Sequence, residues 1–236
     1  MAVLLTRPLH ESQEMASVFE KRGVEVYIAP LLQISYFPLK KQKSEKIILV
    51  TSQHAIYALS QSDISLETPL ICVGDSTAAA AQKLGYTQIQ SARGSVEDLE
   101  AYIIEHFNPH RHHFLYACGE VTHGDLEKKL HNLGFDVSKE IVYQAISIGS
   151  FPLDVVCAFQ EKKIQYICVF SRRTAQILKE IMISLNLQKE SSHINIIAFS
   201  SNIAEEFNGG PWKSIRFCPS AAIQEFWKIA EKEIFR

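Results

Sequence analysis

"ILVTSQHAIYAL", residues 48–59, passes from strand to helix across a single serine. Its first three residues are an unbroken apolar run. Thr51 and Ser52 close that run, and apolar residues then recur at helical spacing as Ala55, Ile56 and Leu59. A continuous apolar run, rather than an alternating one, marks a strand buried on both faces, as in a parallel sheet. A serine just before a helical pattern is an N-cap. "ICVFSRRTAQIL", residues 167–178, writes the same phrase again. The repetition continues: "VGDSTA" answers "AFSSNIA", and "SARGSVEDL" answers "RFCPSAAIQEF". This order predicts a duplicated α/β unit, two domains rather than a solenoid, with the two serine turns facing one ligand.

Outward from these phrases, strands and helices alternate. "VLLT" is a strand, followed by a helix in "HESQEMASVFEKRG" with Met15, Val18, Phe19 and Arg22 on one face and Gly23 as C-cap. "VEVYIAPLLQISYF" is extended, and "KKQKSEK" (40–46) is a solvated charge run. "LICV" leads into an Ala-rich helix ended by Gly85. "SVEDLEAYIIEHF" is a helix capped by Ser95 with Asp98 three residues on, close to a capping box, and stopped by Pro109. Next come "HFLYACG" as strand, "HGDLEKKLHNLG" as helix and "EIVYQAISI" as strand. "IQYICVFS", "INIIAFSS" and "SIRFCP" follow as strands with intervening helices, and "SAAIQEFWKIAEKEIF" is the last helix. The class is α/β, with parallel sheets and right-handed crossovers.

The bulk properties exclude several partners. A chain of 236 residues with 47% hydrophobic content can form one large or two small cores. A net charge of −2 argues against nucleic-acid and membrane-surface binding, so an anionic ligand must be held by local donors. No apolar run approaches the roughly 20 residues that span a bilayer, and "MAVLLTRPLH" is too short an apolar stretch for a signal peptide. Cys72, Cys118, Cys157, Cys168 and Cys218 are odd in number and widely spaced, which predicts reduced core thiols in a cytosolic protein.

Ligands of parallel sheets bind beyond the carboxyl ends of the strands, where helix N-termini present free N–H groups. The residues at those places are Thr6 and Arg7; Thr51, Ser52 and Gln53; Gly74 to Thr77; Gly119 and Glu120; Ser171, Arg172 and Arg173; Ser200, Ser201 and Asn202; and Cys218 to Ser220. This rim is rich in hydroxyls and poor in carboxylates, which suits dispersed carboxylates or phosphates on a ligand. Each hydroxyl taken singly is better explained as a helix cap, and only the seven turns together bring ligand binding level with capping. Elsewhere, "NPHRHH" lacks a carboxylate or cysteine at metal-ligand spacing and reads as a solvated loop. His123 and His131 read as surface residues of one helix. "GDSTAAAAQKLG" has neither the three-glycine pattern of dinucleotide sites nor the lysine of a P-loop, and there is no Gly-x-Ser-x-Gly elbow. Tyr143, at the end of the "EIVYQA" strand, reads either as packing or as an acid whose hydroxyl donates to a leaving group at neutral pH.

Taken in order, "VLLTRP", "APLLQIS", "ILVTSQHAI", "VGDSTAAAAQKLGY", "GDLEKKLHNLGFDV", "IVYQA", "VFSRRTAQIL" and "CPSAAIQEFWKIA" resemble the uroporphyrinogen-III synthase family along essentially the whole chain. The resemblance implies two similar three-layer α/β domains joined by two extended linkers. The first would be discontinuous, residues 1–35 with 146–236, and the second residues 36–145. It implies a lyase that closes the linear tetrapyrrole hydroxymethylbilane to uroporphyrinogen III in haem biosynthesis, losing water and inverting the last pyrrole ring through a spiro intermediate. It further implies a cytoplasmic monomer with no metal and no organic cofactor, acting in a cleft between domains. By the same resemblance Tyr143 is the acid, and Arg7, Thr51, Ser52, Ser76, Thr77, Gly119 and Ser171 bind the eight-carboxylate substrate. Where the family has a glycine and paired hydroxyls, this chain reads "AFSSNIA", so Ser200 and Asn202 would serve and Ile203 could not. Arg172 replaces a usual proline, either contacting a carboxylate or standing at the surface. Two other readings stay open: a non-catalytic two-domain binder of a small polyanion, and a nucleotide-dependent enzyme, which lacks a glycine fingerprint.

Overall fold

A computed structural model describes residues 1–39, 46–122 and 124–235; residues 40–45 of the charge run, and His123, lie outside the described residues. In chain order the elements are β1 (Ala2–Leu5), α1 (Leu9–Glu20), β2 (Glu25–Ile28), β3 (Leu32–Tyr36), β4 (Ile47–Val50), α2 (Gln53–Ser60), β5 (Leu70–Cys72) and α3 (Asp75–Lys83). There follow β6 (Ile89–Ser91), α4 (Val96–His106), β7 (His113–Gly119), α5 (Leu126–Asn132), β8 (Asp136–Ser147) and α6 (Leu153–Gln160). The chain ends with β9 (Ile164–Val169), α7 (Arg172–Ser184), β10 (Asn195–Ala198), α8 (Ser201–Ala204), β11 (Ser214–Phe217) and α9 (Ile223–Glu233). Helix α6 falls in a segment that the sequence reading leaves unassigned.

The chain divides into two compact units, Met1–Gln33 with Ile146–Arg236, and Ile34–Ala145. In the first, the sheet order is β11-β10-β9-β1-β2, and every adjacent pair is parallel. Val3 and Leu5 face a core with α1 and α9, including Phe19 and Phe226. Leu4 faces the opposite core, which holds Phe159 of α6, Leu178 of α7 and Ile203 of α8. Helices thus cover both faces, which explains why the strands are apolar without alternation. On α1 the buried face is Ser12, Met15, Ala16 and Phe19, not the one that included Arg22. Arg22 is exposed, with its guanidinium 4.4 Å from the Phe235 ring centroid.

The second unit contains β8-β7-β4-β5-β6, all parallel, with β3 added beside β8. Phe37 N–H donates to Val142 O at 2.8 Å and Ile148 N–H to Leu31 O at 2.9 Å. Partner numbers therefore rise on one strand as they fall on the other, so this edge pair is antiparallel. Ile48, Val50, Leu115 and Ala117 face α2 and α3. Leu49, Phe114 and Tyr116 face α4 and α5. The expected cap on α4 is a complete capping box: Ser95 Oγ accepts from Asp98 N–H, and the Asp98 carboxylate accepts from Ser95 N–H.

The sheet orders explain the repeat. β4, β5 and β6 run outward on one side of the second sheet, as β9, β10 and β11 do in the first. The strand pair on the other side is β7-β8 in one unit and β1-β2 in the other. That pair trails in the second unit and leads in the first. The two units are circular permutations of one pattern, which is why the repeat starts at residues 48 and 167 and not at residue 1.

Candidate active site

Strand order reverses between β4 and β7 in the second unit, and the crevice at such a reversal is where open α/β sheets hold ligands. Thr51 and Ser52 follow β4 there. Ser52 caps α2, its Oγ accepting from His54 N–H at 3.2 Å. Thr51 Oγ1 lies 3.2 Å from Tyr116 Oη. On β7 the register to β8 shifts between Cys118 and Gly119, so that Cys118 is opposite Ile141 and Gly119 is opposite Tyr143. This β-bulge inserts Val142 as an extra residue. Consecutive residues of a regular strand face opposite ways, but here Val142 and Tyr143 both pack against the core beneath α2. The bulge has re-aimed Tyr143. Gly119 makes the room: a Cβ there would stand 2.6 Å from Tyr143 Cζ and 2.8 Å from its Oη. The Tyr143 ring also lies 5.5 Å from that of His54.

Burial pushes the Tyr143 hydroxyl above its usual pKa of 10, with the Ser52 side chain pulling it back as a hydrogen-bond partner of the phenolate and Cys118 adding to the rise. Tyr116 is raised by the same burial, partly offset by Thr51. Tyr143 is thus a neutral proton donor across the physiological range, in a setting that can partly stabilise the anion left behind.

The first unit reverses between β1 and β9. Thr6, fully buried, ties these strands at the crevice, its Oγ1 donating to Cys168 O at 2.9 Å. Arg7 comes next, with its guanidinium 4.8 Å from the Phe170 ring centroid and Nη1 3.9 Å from Met15 Sδ. Desolvation lowers the Arg7 pKa, and Glu11 and Glu14 counter this. Arg7 is therefore a partly dehydrated cation held at the end of β1 between Phe170 and Met15, within the field of the Glu11 and Glu14 carboxylates of α1. Ser171 caps α7, accepting from Thr174 N–H at 3.0 Å, and its Oγ is 2.7 Å from Thr174 Oγ1.

The family model for uroporphyrinogen-III synthase HemD matches residues 13–228. The chain belongs to the uroporphyrinogen-III synthase family. Among solved structures, uroporphyrinogen-III synthetase from Helicobacter pylori 26695 is similar at 14% identity and a TM-score of 0.66, covering 98% of each chain. A mutant uroporphyrinogen III synthase from the extremely thermophilic bacterium Thermus thermophilus is similar at 14% identity and a TM-score of 0.54, covering 99% of this chain and 100% of that one. At such identity these likenesses show the fold. No curated protein sequence matches. Family membership makes this chain an enzyme of tetrapyrrole biosynthesis.

The structure gathers Thr51, Ser52, Gly119 and Tyr143 at the β4/β7 crevice and Arg7 with Ser171 at the β1/β9 crevice. Ser76 lies in the first turn of α3, tied to the start of α2 by a 3.4 Å bond from Gln53 Nε2 to Ser76 O. Thr77 is only 3% exposed, so the rim of that turn belongs to Ser76. Ser200 begins α8 without a side-chain cap bond, Asn202 is exposed, and Ile203 is buried. Arg172 stands at the surface, and the carboxylate it contacts is one of this chain: Glu206 Oε1 accepts from its Nε at 3.0 Å and Nη2 at 2.8 Å. Lys179 Nζ adds a 3.0 Å bond to Glu206 Oε2, and these partners hold Glu206 down to a pKa of about 2.

The sequence reading missed Tyr116, Tyr36 and His54. Tyr116 left a faint signal, as the only residue with a polar tip inside the run "FLYAC". The cysteines need a correction too: four are buried, but Cys157 on α6 is exposed, because the face of that helix turned to the core carries Val155, Ala158 and Phe159. Burial raises the thiols of Cys72 to about 12 and of Cys118 and Cys218 to about 11, which makes them inert at neutral pH. His113 in the histidine-rich stretch pairs with Asp136 across the strand pair. No cluster of three or more metal-ligating side chains occurs among the described residues. No described helix is long and apolar enough to cross a membrane.

Proposed function

We propose that this chain converts hydroxymethylbilane to uroporphyrinogen III as a cyclising hydro-lyase, with Tyr143 as the general acid. The observation that carries the reading is the bulge that sets a neutral, half-buried tyrosine on Gly119 beside Ser52, in a chain of this family. Tyr143 gives its proton to the hydroxyl on the first ring. Water leaves, and the ring becomes an electrophilic azafulvenium cation with a phenolate beside it. The substituted carbon of the last ring attacks and forms the spiro intermediate. That intermediate breaks at its other bond and recloses with the ring turned over. The proton lost on regaining aromaticity returns to Tyr143, so the balance is one water released.

Uncatalysed closure gives the unturned isomer, so much of the catalysis lies in holding the chain ends in one geometry. Arg7, Thr51, Ser52, Ser76, Ser171, Ser200 and Asn202 are proposed to bind substrate carboxylates, together with the N–H groups at the starts of α2 and α7, whereas the buried Thr77 is left out of that set. Gly119 admits Tyr143. The two compact units are proposed as the two domains of the enzyme, and the enzyme as a cytoplasmic monomer. Its buried, unreactive thiols suit a reducing compartment.

The test is to generate hydroxymethylbilane in place, add the protein, oxidise, and separate the isomers by chromatography. A type III excess supports the reading. Type I alone from a folded sample removes it and leaves the polyanion binder. That alternative is favoured only by the first unit's rim, where Arg172 is occupied by Glu206 and α8 is a single uncapped turn.

A further inference from the structure

His54 touches both Ser52 and Tyr143. Its backbone N–H donates to Ser52 Oγ at 3.2 Å. Its ring meets that of Tyr143 with centroids 5.5 Å apart and planes tilted by 53°. The imidazole is held in turn: Tyr36 Oη lies 3.3 Å from His54 Nδ1, and either atom can donate according to the tautomer. Tyr57, one turn along α2, packs against Tyr36 at 6.5 Å. The Tyr143 ring is therefore bounded by the Gly119 backbone from β7 and by the His54 ring from α2. A general acid works only within hydrogen-bond reach of the atom it protonates, and a misplacement of about 1 Å can cost on the order of 100-fold.

We propose that His54, braced by Tyr36, is a positioning residue that keeps the Tyr143 ring on Gly119 and Ser52 beside the phenol. The proposal rests on the reading of Tyr143 as the acid. One residue fixes the donor through its ring and the donor's partner through its backbone. Packing and capping at the same residue explain why a short helix start can hold a catalytic hydroxyl steady.

A double-mutant cycle separates this from a general structural role. His54→Ala is expected to lower kcat about tenfold while KM changes by less than about twofold. His54→Phe, which keeps a ring against Tyr143, is expected to recover most of that loss. Tyr36→Phe should lower kcat a few-fold. In the Tyr143→Phe background none of the three should cost anything further, because the hydroxyl they position is gone. Thermal melting checks folding, and if His54→Ala does not fold, Tyr36→Phe and His54→Phe carry the cycle. An equal loss with and without the Tyr143 hydroxyl overturns the proposal, as does full activity of a folded His54→Ala. If Tyr143→Phe is itself fully active, the acid reading falls and this proposal with it. A loss in Tyr143→Phe without one in His54→Ala removes the proposal alone.

Discussion

The two strand-order reversals are built on one pattern and hold opposite chemistry. At the β4/β7 crevice the groups are neutral: Thr51, Ser52, Tyr116 and Tyr143, bound to one another or packed together. At the β1/β9 crevice the central group is a cation, Arg7, stacked on Phe170 with the Glu11 and Glu14 carboxylates near enough to offset its desolvation. Their irregularities also differ. The register shift of β1 against β9 lies at Ala2/Val3, the strand start far from the crevice, whereas that of β7 against β8 lies at Cys118/Gly119, in the crevice itself. Because strand side chains alternate, only a shift at the crevice end can turn a residue such as Tyr143 onto the other face. On the proposed function, the duplicated fold would supply a proton donor from one copy and an anion holder from the other.

Removing the phenol should break this contrast most severely. Tyr143→Phe is expected to lower kcat by roughly ten- to a thousandfold without a loss of thermal stability, measured by isomer chromatography and melting. Gly119→Ala should cost a comparable factor, since the new Cβ evicts the far end of the Tyr143 ring. An unaltered rate in both variants would reduce the β4/β7 crevice to packing. Because burial raises the Tyr143 pKa above 10, the acid form should persist, and kcat should show no decline from phenol ionisation below that pH.

Arg7→Gln addresses the other side. A charge-assisted hydrogen bond contributes about 1.5–3 kcal/mol, so KM should rise about ten- to a hundredfold with kcat less affected. A loss confined to kcat would mean that the two crevices do not divide their work in this way. The serine caps sharpen the comparison further. Ser171→Ala should destabilise the fold by about 1 kcal/mol in a urea titration, as the loss of an N-cap does. Ser52→Ala should cost a similar amount of stability and lower kcat as well, since Ser52 alone of the pair eases the Tyr143 phenol towards ionisation.

The smallest effect concerns Glu206. Its folded pKa of about 2 lies below the ordinary 4.5, so its contribution to stability is full above about pH 4.5 and disappears as pH falls towards 2. The difference in melting temperature between the protein and Glu206→Gln should therefore be greatest near neutrality and shrink through that window. A difference independent of pH would show that the Arg172–Glu206–Lys179 cluster acts through packing.

Much of this architecture could be read from local sequence. An apolar run followed by Ser52 or Ser171 determines a buried strand, a cap and a helix, because each involves residues within about four positions of one another. The Ser95 capping box and the C-cap glycines were legible for the same reason. The paired phrases also determined that there are two α/β units. The site itself depends on contacts that no local pattern encodes. Gly119 meets Tyr143 through a bulge in the pairing of β7 with β8. Thr51 meets Tyr116 across 65 residues, and Tyr36 meets His54 across 18. Arg172, which the sequence left undecided between a carboxylate and the surface, is taken by Glu206, 34 residues on. Such meetings are set by strand register and sheet order, and a one-residue shift in register turns every side chain to the other face. Local residue order thus places the chemical groups at the strand ends, and long-range strand pairing sets which of them touch.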